Sequence, residues 1–371
     1  MSQNKDELYK LKKYVKFKRL SSKLCTNKKQ AALITSETNI RYLTDFPNSE
    51  GVLLVTAGEV YFFVDFRYGE AAQKQVTGCR VIVFSRLLES LKEVLKLHGI
   101  TEVLFEASYM TVKDMQRYKN SMEQYGCTMI TNDILDSTLR DMRIIKSAEE
   151  LEKIEAAQKI TEEAYLELLN IVKPGVSERK LAFELEFLMR RKGADGISFD
   201  LITIAGKKTS MPHGVPDDYI IQSGDFVTFD IGALYDGYHS DMTRTIAVKE
   251  VSEYQKEIYN IVYTAQMQAL SRVKAGVTAS VIDKTARDII ENAGYGEYFR
   301  HSTGHGVGLN IHEEPFVSPK SNTILSENMV ITVEPGIYLP DKFGVRIEDM
   351  VRVTKNGCYN FATLPKELIV I

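Results

Sequence analysis

Residues 301–315, HSTGHGVGLNIHEEP, gather three of the chain's six histidines, His301, His305 and His312, with Gly304, Gly306, Gly308 and two glutamates. Imidazoles so placed can hold a metal, exchange protons or sit in an ordinary loop, and the stretch alone does not distinguish these uses. His301 and His305 have the spacing of a helical metal pair, but three glycines make a regular helix there unfavourable. The glycines read G-x-G-x-G, not the dinucleotide fingerprint G-x-G-x-x-G, and they do not join a clear strand to a helix. No H-E-x-x-H occurs, and no serine nucleophile elbow.

Carboxylates elsewhere narrow the choice. In DFVTFDIGALYDGYHSDMTRTIAV (225–248) two β-rich runs flank Asp236-Gly237, the pair favoured in type I′ hairpin turns because both central residues need positive φ. With these two as the loop, Asp230 faces Thr243 and Asp241 faces Gly232. Asp230 and Asp241 then share a strand face as diagonal neighbours, roughly 7–8 Å apart along the backbone; a slip of one residue would separate them. Val227, Phe229 and Ile231 occupy the other face. Two carboxylates in a poorly solvated place repel each other, so positive charge belongs between them. Solvated surface acids would explain a lone pair of this kind. Glu334 in TVEPG and Glu348 in VRIEDM weaken that explanation, because both again lie in apolar, strand-like runs, where glutamate is uncommon unless paired or coordinating.

Four carboxylates and one imidazole form an oxygen-rich donor set suited to Mn²⁺ and, less selectively, to Fe²⁺, Co²⁺ or Zn²⁺. Four negative charges match two divalent ions. Two such ions about 3.5–4 Å apart, sharing carboxylates and a water, polarise a carbonyl and supply hydroxide at neutral pH.

The elements that must position these groups show in the periodicity. At 371 residues the chain suits two domains. Runs AALITS (31–36), GVLLVT (51–56), VYFFVDF (60–66), RVIVFS (80–85) and EVLFEAS (102–108) read as strands, with an amphipathic helix over 86–99. The pattern turns helical near 136–158, with Ser147 and Glu150 spaced as a capping box. This gives a small α/β domain over residues 1–138 and a second domain over 139–371. The second carries a repeat: VKPGVSE (172–178) recurs as VKAGVTA (273–279), Gly193 falls on Gly294, and VTFDIG (227–232) matches ITVEPG (331–336), setting Asp230 opposite Glu334. Two copies imply one internally pseudo-symmetric domain.

Composition bounds the function classes. Charged residues make up 26% and apolar residues 44%, as in a globular protein, and the net charge of −3 argues against nucleic acid as the main partner. The basic N-terminal segment, Lys10, Lys12, Lys13, Lys16, Lys18, Arg19, Lys23, Lys28 and Lys29, reads as the solvated face of a first helix. It lacks the apolar stretch of a secretory signal, and no window reaches the roughly 20 apolar residues of a membrane span. Cys25, Cys79, Cys127 and Cys358 form no C-x-x-C pair, which fits a reducing cytoplasm.

In combination, DIGALYDGYHSDMTRT, HSTGHGVGLNIHEEP, TVEPGIY and RIEDMV resemble the creatinase/aminopeptidase family of pita-bread metallopeptidases, over the whole chain. The resemblance implies an α/β (α+β) architecture, with a creatinase-like N-terminal domain before a pseudo-two-fold pita-bread catalytic domain. It implies that Asp230 binds one metal, that Asp241 and Glu348 bridge two, and that His305 is the sole histidine ligand. Glu334 would share the metal of His305 and accept a proton from metal-bound water. His213 in SMPHGVP, His301 and His312 would flank the substrate, and Arg346 would hold Glu348 or bind substrate, its plainer reading being a surface ion pair. His98 and His239 are left as structural or exposed. The repeat alone matches DMTRT to DMVRV and so Asp241 to Asp349; the resemblance selects Glu348, with Asp349 as a substitute. The glycines of 304–308 would give φ freedom, and space without a Cβ, to backbone wrapped around ion and peptide.

The N-terminal domain and Arg346 resemble the proline-specific branch, which implies release of the N-terminal residue from peptides with proline second, by an Xaa-Pro aminopeptidase acting with two divalent metal ions, as a homodimer. An Xaa-Pro dipeptidase is the alternative. A methionine aminopeptidase, a metal-free creatinase-type enzyme and a non-enzymatic binding protein of the same fold stand further off.

Overall fold

The computed structural model describes residues 15–25, 27–47 and 50–371. They form two compact units that part between Arg143 and Ile144. Leu139, where the sequence places the boundary, lies within a helix that ends at Ile144.

The first unit begins with helix α1 (residues 15–24), which exposes Lys18, Arg19 and Lys23 and buries Phe17, Leu20 and Leu24. Lys10, Lys12 and Lys13 lie outside the described residues. There follow β1 (Gln30–Ile34), α2 (Glu37–Thr44), β2 (Gly51–Thr56), β3 (Val60–Val64), α3 (Phe66–Gln75), β4 (Arg80–Val83), α4 (Leu87–Leu97), β5 (Glu102–Phe105), α5 (Val112–Glu123), β6 (Thr128–Ile130) and α6 (Ile134–Ile144). The strands make one sheet, ordered β4-β3-β2-β1-β5-β6. Its β1-β2-β3 centre is antiparallel, and the pairs β3-β4, β1-β5 and β5-β6 are parallel. All of β3, and all of β2 beyond Gly51, is buried, which is why these strands read as unbroken apolar runs rather than alternating ones. The five expected strands are β1 to β5 and the helix expected over 86–99 is α4; β6, three residues long, is too short to show a period.

The second unit contains α7 (Ala148–Leu168), α8 (Glu178–Arg191), β7 (Gly196–Ile197), β8 (Ile202–Ala205), β9 (Phe226–Ile231), β10 (Ala233–Tyr235), β11 (Tyr238–His239), β12 (Met242–Ala247), α9 (Glu253–Arg272), α10 (Ala279–Asn292), β13 (Gly304–Gly306), β14 (Glu313–Val317), β15 (Val330–Val333), β16 (Gly336–Leu339), β17 (Phe343–Arg346), β18 (Asp349–Val353) and β19 (Cys358–Asn360). Ser147 and Glu150 form the expected capping box of α7, each side chain satisfying a backbone N–H of the first turn.

The repeat is built into the contacts. In each copy a long helix, a turn with a left-handed glycine, and a 14-residue helix follow one another: Gly175 at φ 94° before α8, Gly276 at φ 85° before α10. Gly175 donates to Ile221 O at 3.0 Å and Gly276 to Leu325 O at 2.8 Å; Ile221 N returns to Val176 O and Leu325 N to Val277 O. One apolar core gathers α7 and α8 against β9 and β12, and another gathers α9 and α10 against β15 and β18. The main sheets are β12-β9-β8 and β14-β13-β15-β18-β19. Among the described residues, no helix is long and apolar enough to cross a membrane.

Candidate active site

The Asp236-Gly237 turn has φ of 45° and 82°, as a type I′ turn requires. The register follows from it: Asp230 pairs with Thr243, and Leu234 with His239. Asp230 is the penultimate residue of β9 and Asp241 immediately precedes β12, and both line one cleft.

In the second copy, Val333 pairs with Asp349, and one step further along that ladder Glu334 stands across from Glu348. Side chains alternate between strand faces, so Glu334 and Glu348 share a face and Asp349 points the other way. Asp349, fully buried, is held by Arg244 (2.9 Å) and Lys366 (2.6 Å) and accepts from Gln266 and Asn360. Burial opposes its charge, but the two cations hold its carboxyl below the ordinary range. It does not line the cleft; Glu348 does.

The cleft encloses about 600 Å³. It brings together the side chains that the resemblance assigns to metal or substrate: His213, Asp230, Asp241, His301, His305, His312, Glu334, Arg346 and Glu348. One donor atom each from buried Asp241, His305 and Glu348 lies within 4.8 Å of the others. His305 Nε2 is 3.5 Å from Asp241 and 3.4 Å from Glu334. Its Nδ1 is 3.1 Å from Gly306 O, a bond in which the nitrogen donates; that tautomer leaves the Nε2 lone pair facing the carboxylates, as a ligating histidine needs. Burial lowers His305 to about 4, so the ring is neutral at neutral pH.

The carboxylates carry more charge than the protein neutralises. Arg346 Nη2 lies 2.6 Å from Asp230, and its other nitrogens bond Tyr338 Oη and Thr243 Oγ1. Burial raises Asp241, and the charges of Asp230 and Glu334 raise it further. Burial raises Glu334 to about 8, with Arg346 opposing and Asp230 adding to the shift. Burial and the neighbouring acids likewise push Glu348 well up, despite the 2.6 Å hydrogen bond from Thr243 Oγ1. Buried acids that raise one another's pKa in this way fit a resident group of high positive charge. An oxygen-rich set with one imidazole suits divalent metal ions.

The histidines differ. His301 Nδ1 is bonded to Ser302 O (2.7 Å) and its Nε2 to Tyr338 Oη (3.0 Å). With Arg346 donating to the same hydroxyl, a chain of bonds runs Asp230–Arg346–Tyr338–His301. Burial lowers His301 to about 4. His213 and His312 are exposed in the cleft and make no side-chain hydrogen bond among the described residues; His312 lies edge to face with His305 at 4.4 Å between centroids. His98 bonds Tyr61, His239 lies in β11, and neither lines the cleft. Arg346 is buried and bonds Asp230 rather than Glu348, and so is not a surface ion pair.

The glycine expectation needs correcting. Gly304, Gly306 and Gly308 are not among the positive-φ residues. A Cβ there would lie 2.0 Å from Thr332 O, 2.3 Å from Glu314 O and 2.3 Å from Glu313 Oε1 respectively. Close packing of β13 between β14 and β15 excludes side chains at Gly304 and Gly306, and the Glu313 carboxylate crowds Gly308; φ freedom around a ligand is not what these glycines supply. Sequence reasoning also passed over Tyr338, although it ends the TVEPGIY motif, and Thr243 and Thr332, whose hydroxyls hold Glu348 and Glu334.

A repeated α/β unit that buries acids and one lone-pair-presenting imidazole at the floor of an open cleft defines a metal-dependent hydrolase. Residues 152–355 match metallopeptidase family M24, and residues 16–145 match the creatinase/prolidase N-terminal domain. The chain belongs to metallopeptidase family M24 and has the pita-bread architecture. It is 40% identical over 357 residues to an Xaa-Pro dipeptidase of Pyrococcus horikoshii, covering 95% of this chain and 98% of that one. The structure of an Xaa-Pro dipeptidase from Bacillus anthracis superposes with a TM-score of 0.92 at 40% identity, covering 98% and 100% of the two chains. An X-Pro aminopeptidase from Thermotoga maritima superposes with a TM-score of 0.86 at 34% identity, covering 92% and 97%.

Proposed function

We propose that this protein is a dinuclear metallopeptidase that cleaves the bond before proline in the second position of a peptide, acting as an Xaa-Pro aminopeptidase. The observation that carries the reading is the buried convergence of Asp241, His305 and Glu348 within 4.8 Å, in a cleft that also holds Asp230, Glu334 and two histidines that make no side-chain hydrogen bond among the described residues. Asp230 and Asp241 would hold one ion, His305 and Glu334 the other, with Asp241 and Glu348 shared. Divalent ions bound there would polarise the scissile carbonyl and make hydroxide available at neutral pH.

The chain's own groups supply the rest. Glu334, ionised once positive charge neutralises its neighbours, accepts a proton and returns it to the departing nitrogen. Every departing amide nitrogen needs that proton, and the proline nitrogen, which carries no N–H in the peptide, leaves with it as a secondary amine. His213 and His312 offer N–H groups to the oxygen on which charge develops. The Arg346–Tyr338–His301 chain fixes Asp230 and orients the imidazole of His301, which burial keeps neutral. Leu201, Ile202, Val215, Ile311 and Phe316 line the cleft and give the proline ring an apolar wall.

The aminopeptidase is favoured over the dipeptidase because Arg346 is the one lysine or arginine among the described residues lining the cleft. It is committed to Asp230, which leaves a dipeptide's carboxylate without a cation on these walls. Mn²⁺ is proposed from the donor set. Resemblance supports a homodimer, and four free cysteines support a cytoplasmic setting.

The test is to strip metal, restore Mn²⁺ and compare an Xaa-Pro dipeptide, an Xaa-Pro tripeptide and a Met-Ala-Ser peptide. Fastest turnover of the tripeptide is expected. A preference for the dipeptide would make the protein a dipeptidase, and faster release of methionine would overturn the proline specificity.

A further inference from the structure

Residues 206–216 form a loop that leaves β8 and returns toward the sheet, carrying Pro212 and His213 into the cleft. Both ends of the loop meet at one side chain. Glu178, the first residue of α8, has no exposed surface. Its Oε1 accepts from Ala205 N at 2.7 Å, and its Oε2 accepts from Asp217 N at 3.0 Å and Lys208 Nζ at 2.6 Å. Lys208 Nζ also reaches Asp217 Oδ2 at 2.5 Å and Val215 O at 3.5 Å, so the ammonium, carried on the first limb of the loop, ties that limb to the second and to Glu178. His213 makes no side-chain hydrogen bond among the described residues, and its place in the cleft is therefore set by its backbone.

We propose that Glu178 is a positioning residue for His213: its buried carboxylate, bridged by Lys208, draws the neck of the loop closed and so sets where the imidazole stands in the cleft. The inference rests on the substrate-facing role of His213 given above. The second copy of the repeat contains a parallel device. On α10, buried Asp283 accepts from Thr303 N (3.2 Å) and Oγ1 (2.8 Å) and pairs with Arg287, which donates to Phe299 O and His301 O. In both halves a buried acid on the shorter helix grips the backbone segment that presents a cleft histidine. Glu178 bonds none of the proposed metal ligands, which come from β9, the residue before β12, and β13 and the strand ends of the other half.

The test is a double-mutant cycle on the Mn²⁺-loaded full chain with an Xaa-Pro tripeptide: Glu178→Gln, Lys208→Met, His213→Ala and the two combinations with His213→Ala. Glu178→Gln and Lys208→Met are each expected to lower kcat/KM by about ten- to a hundredfold, the scale of displacing a catalytic group by roughly 1 Å, with bound metal unchanged. In the His213→Ala background either change should cost less than about twofold, because the group through which it acts is gone. If the losses multiply instead while His213→Ala alone impairs turnover, Glu178 is merely structural and this inference alone falls. If His213→Ala leaves turnover intact, the substrate role of His213 falls with it. Should Glu178→Gln fail to fold, the Lys208→Met cycle decides on the same criteria.

Discussion

Glu348 and Asp349 are neighbours in the chain and serve opposite sides of one strand. Glu348 accepts a hydrogen bond from Thr243 and faces the cleft, whereas Asp349 turns into the core against Arg244 and Lys366. The same alternation runs through Thr243 and Arg244 on β12, so two adjacent residues on each hairpin meet as two separate pairs, one serving the site and one the core.

Asp349→Asn and Glu348→Gln should therefore fail differently. Removing Asp349 leaves buried Arg244 facing a neutral amide, and breaking a buried pair costs about 3–5 kcal/mol, measurable as a lower urea midpoint with metal still bound. Glu348→Gln relieves like-charge repulsion, so its urea midpoint should match that of the unchanged protein when both are stripped of metal, while its metal content drops. A stable Asp349→Asn protein that has lost its metal would exchange the two assignments.

In the proposed site Asp241 would be shared by two ions, and burial together with Asp230 and Glu334 raises its pKa. Changes to residues that merely support a ligand cost about 10- to 100-fold; Asp241→Asn is expected to exceed that in turnover and to lower bound metal by elemental analysis. Normal activity in this variant would show that the site lies elsewhere.

Metal binding should depend on pH in a fixed direction. Glu334 rises from 4.5 to about 8 without metal, and Asp241 and Glu348 shift the same way. Between the unfolded value and about 8 the metal-free folded state holds more protons than the unfolded one, so these groups' contribution to stability is lost as pH rises. Bound cations displace those protons. The rise in Tm on adding Mn²⁺ should thus be larger at pH 8 than at pH 5.5; a shift that shrinks with pH would contradict the assigned ligands.

Arg346 joins Asp230 to Tyr338 through a planar fork, a geometry that lysine cannot reproduce. Arg346→Lys is expected to weaken metal affinity by about 10- to 100-fold, as loss of a ligand's supporting bond does. Tyr338→Phe should lower kcat while leaving metal affinity within a fewfold, since it severs the link to His301 but not the one to Asp230. Isothermal titration of the apo variants with Mn²⁺, alongside steady-state kinetics, separates the two effects.

Much of the site was open to reading before any coordinates, because local chemistry dictates it. Asp236-Gly237 can hardly do other than turn a hairpin, and the turn sets the register that places Asp230 and Asp241 on one cleft. The glycine-stopped helix pairs announce the duplicated unit by themselves, as does the acid in each copy's strand. What the linear chain could not decide is which of two adjacent acids in the second hairpin enters the cleft. That hairpin has a longer connection and a different register, and only the pairing of Val333 with Asp349 sends Glu348 inward. Nor could spacing show that Gly304 and Gly306 are demanded by neighbouring strands, that Arg346 holds Asp230, or that Glu178 closes the loop of His213. Those relationships join residues far apart in sequence, and they arise only when two sheets and their helices pack against one another.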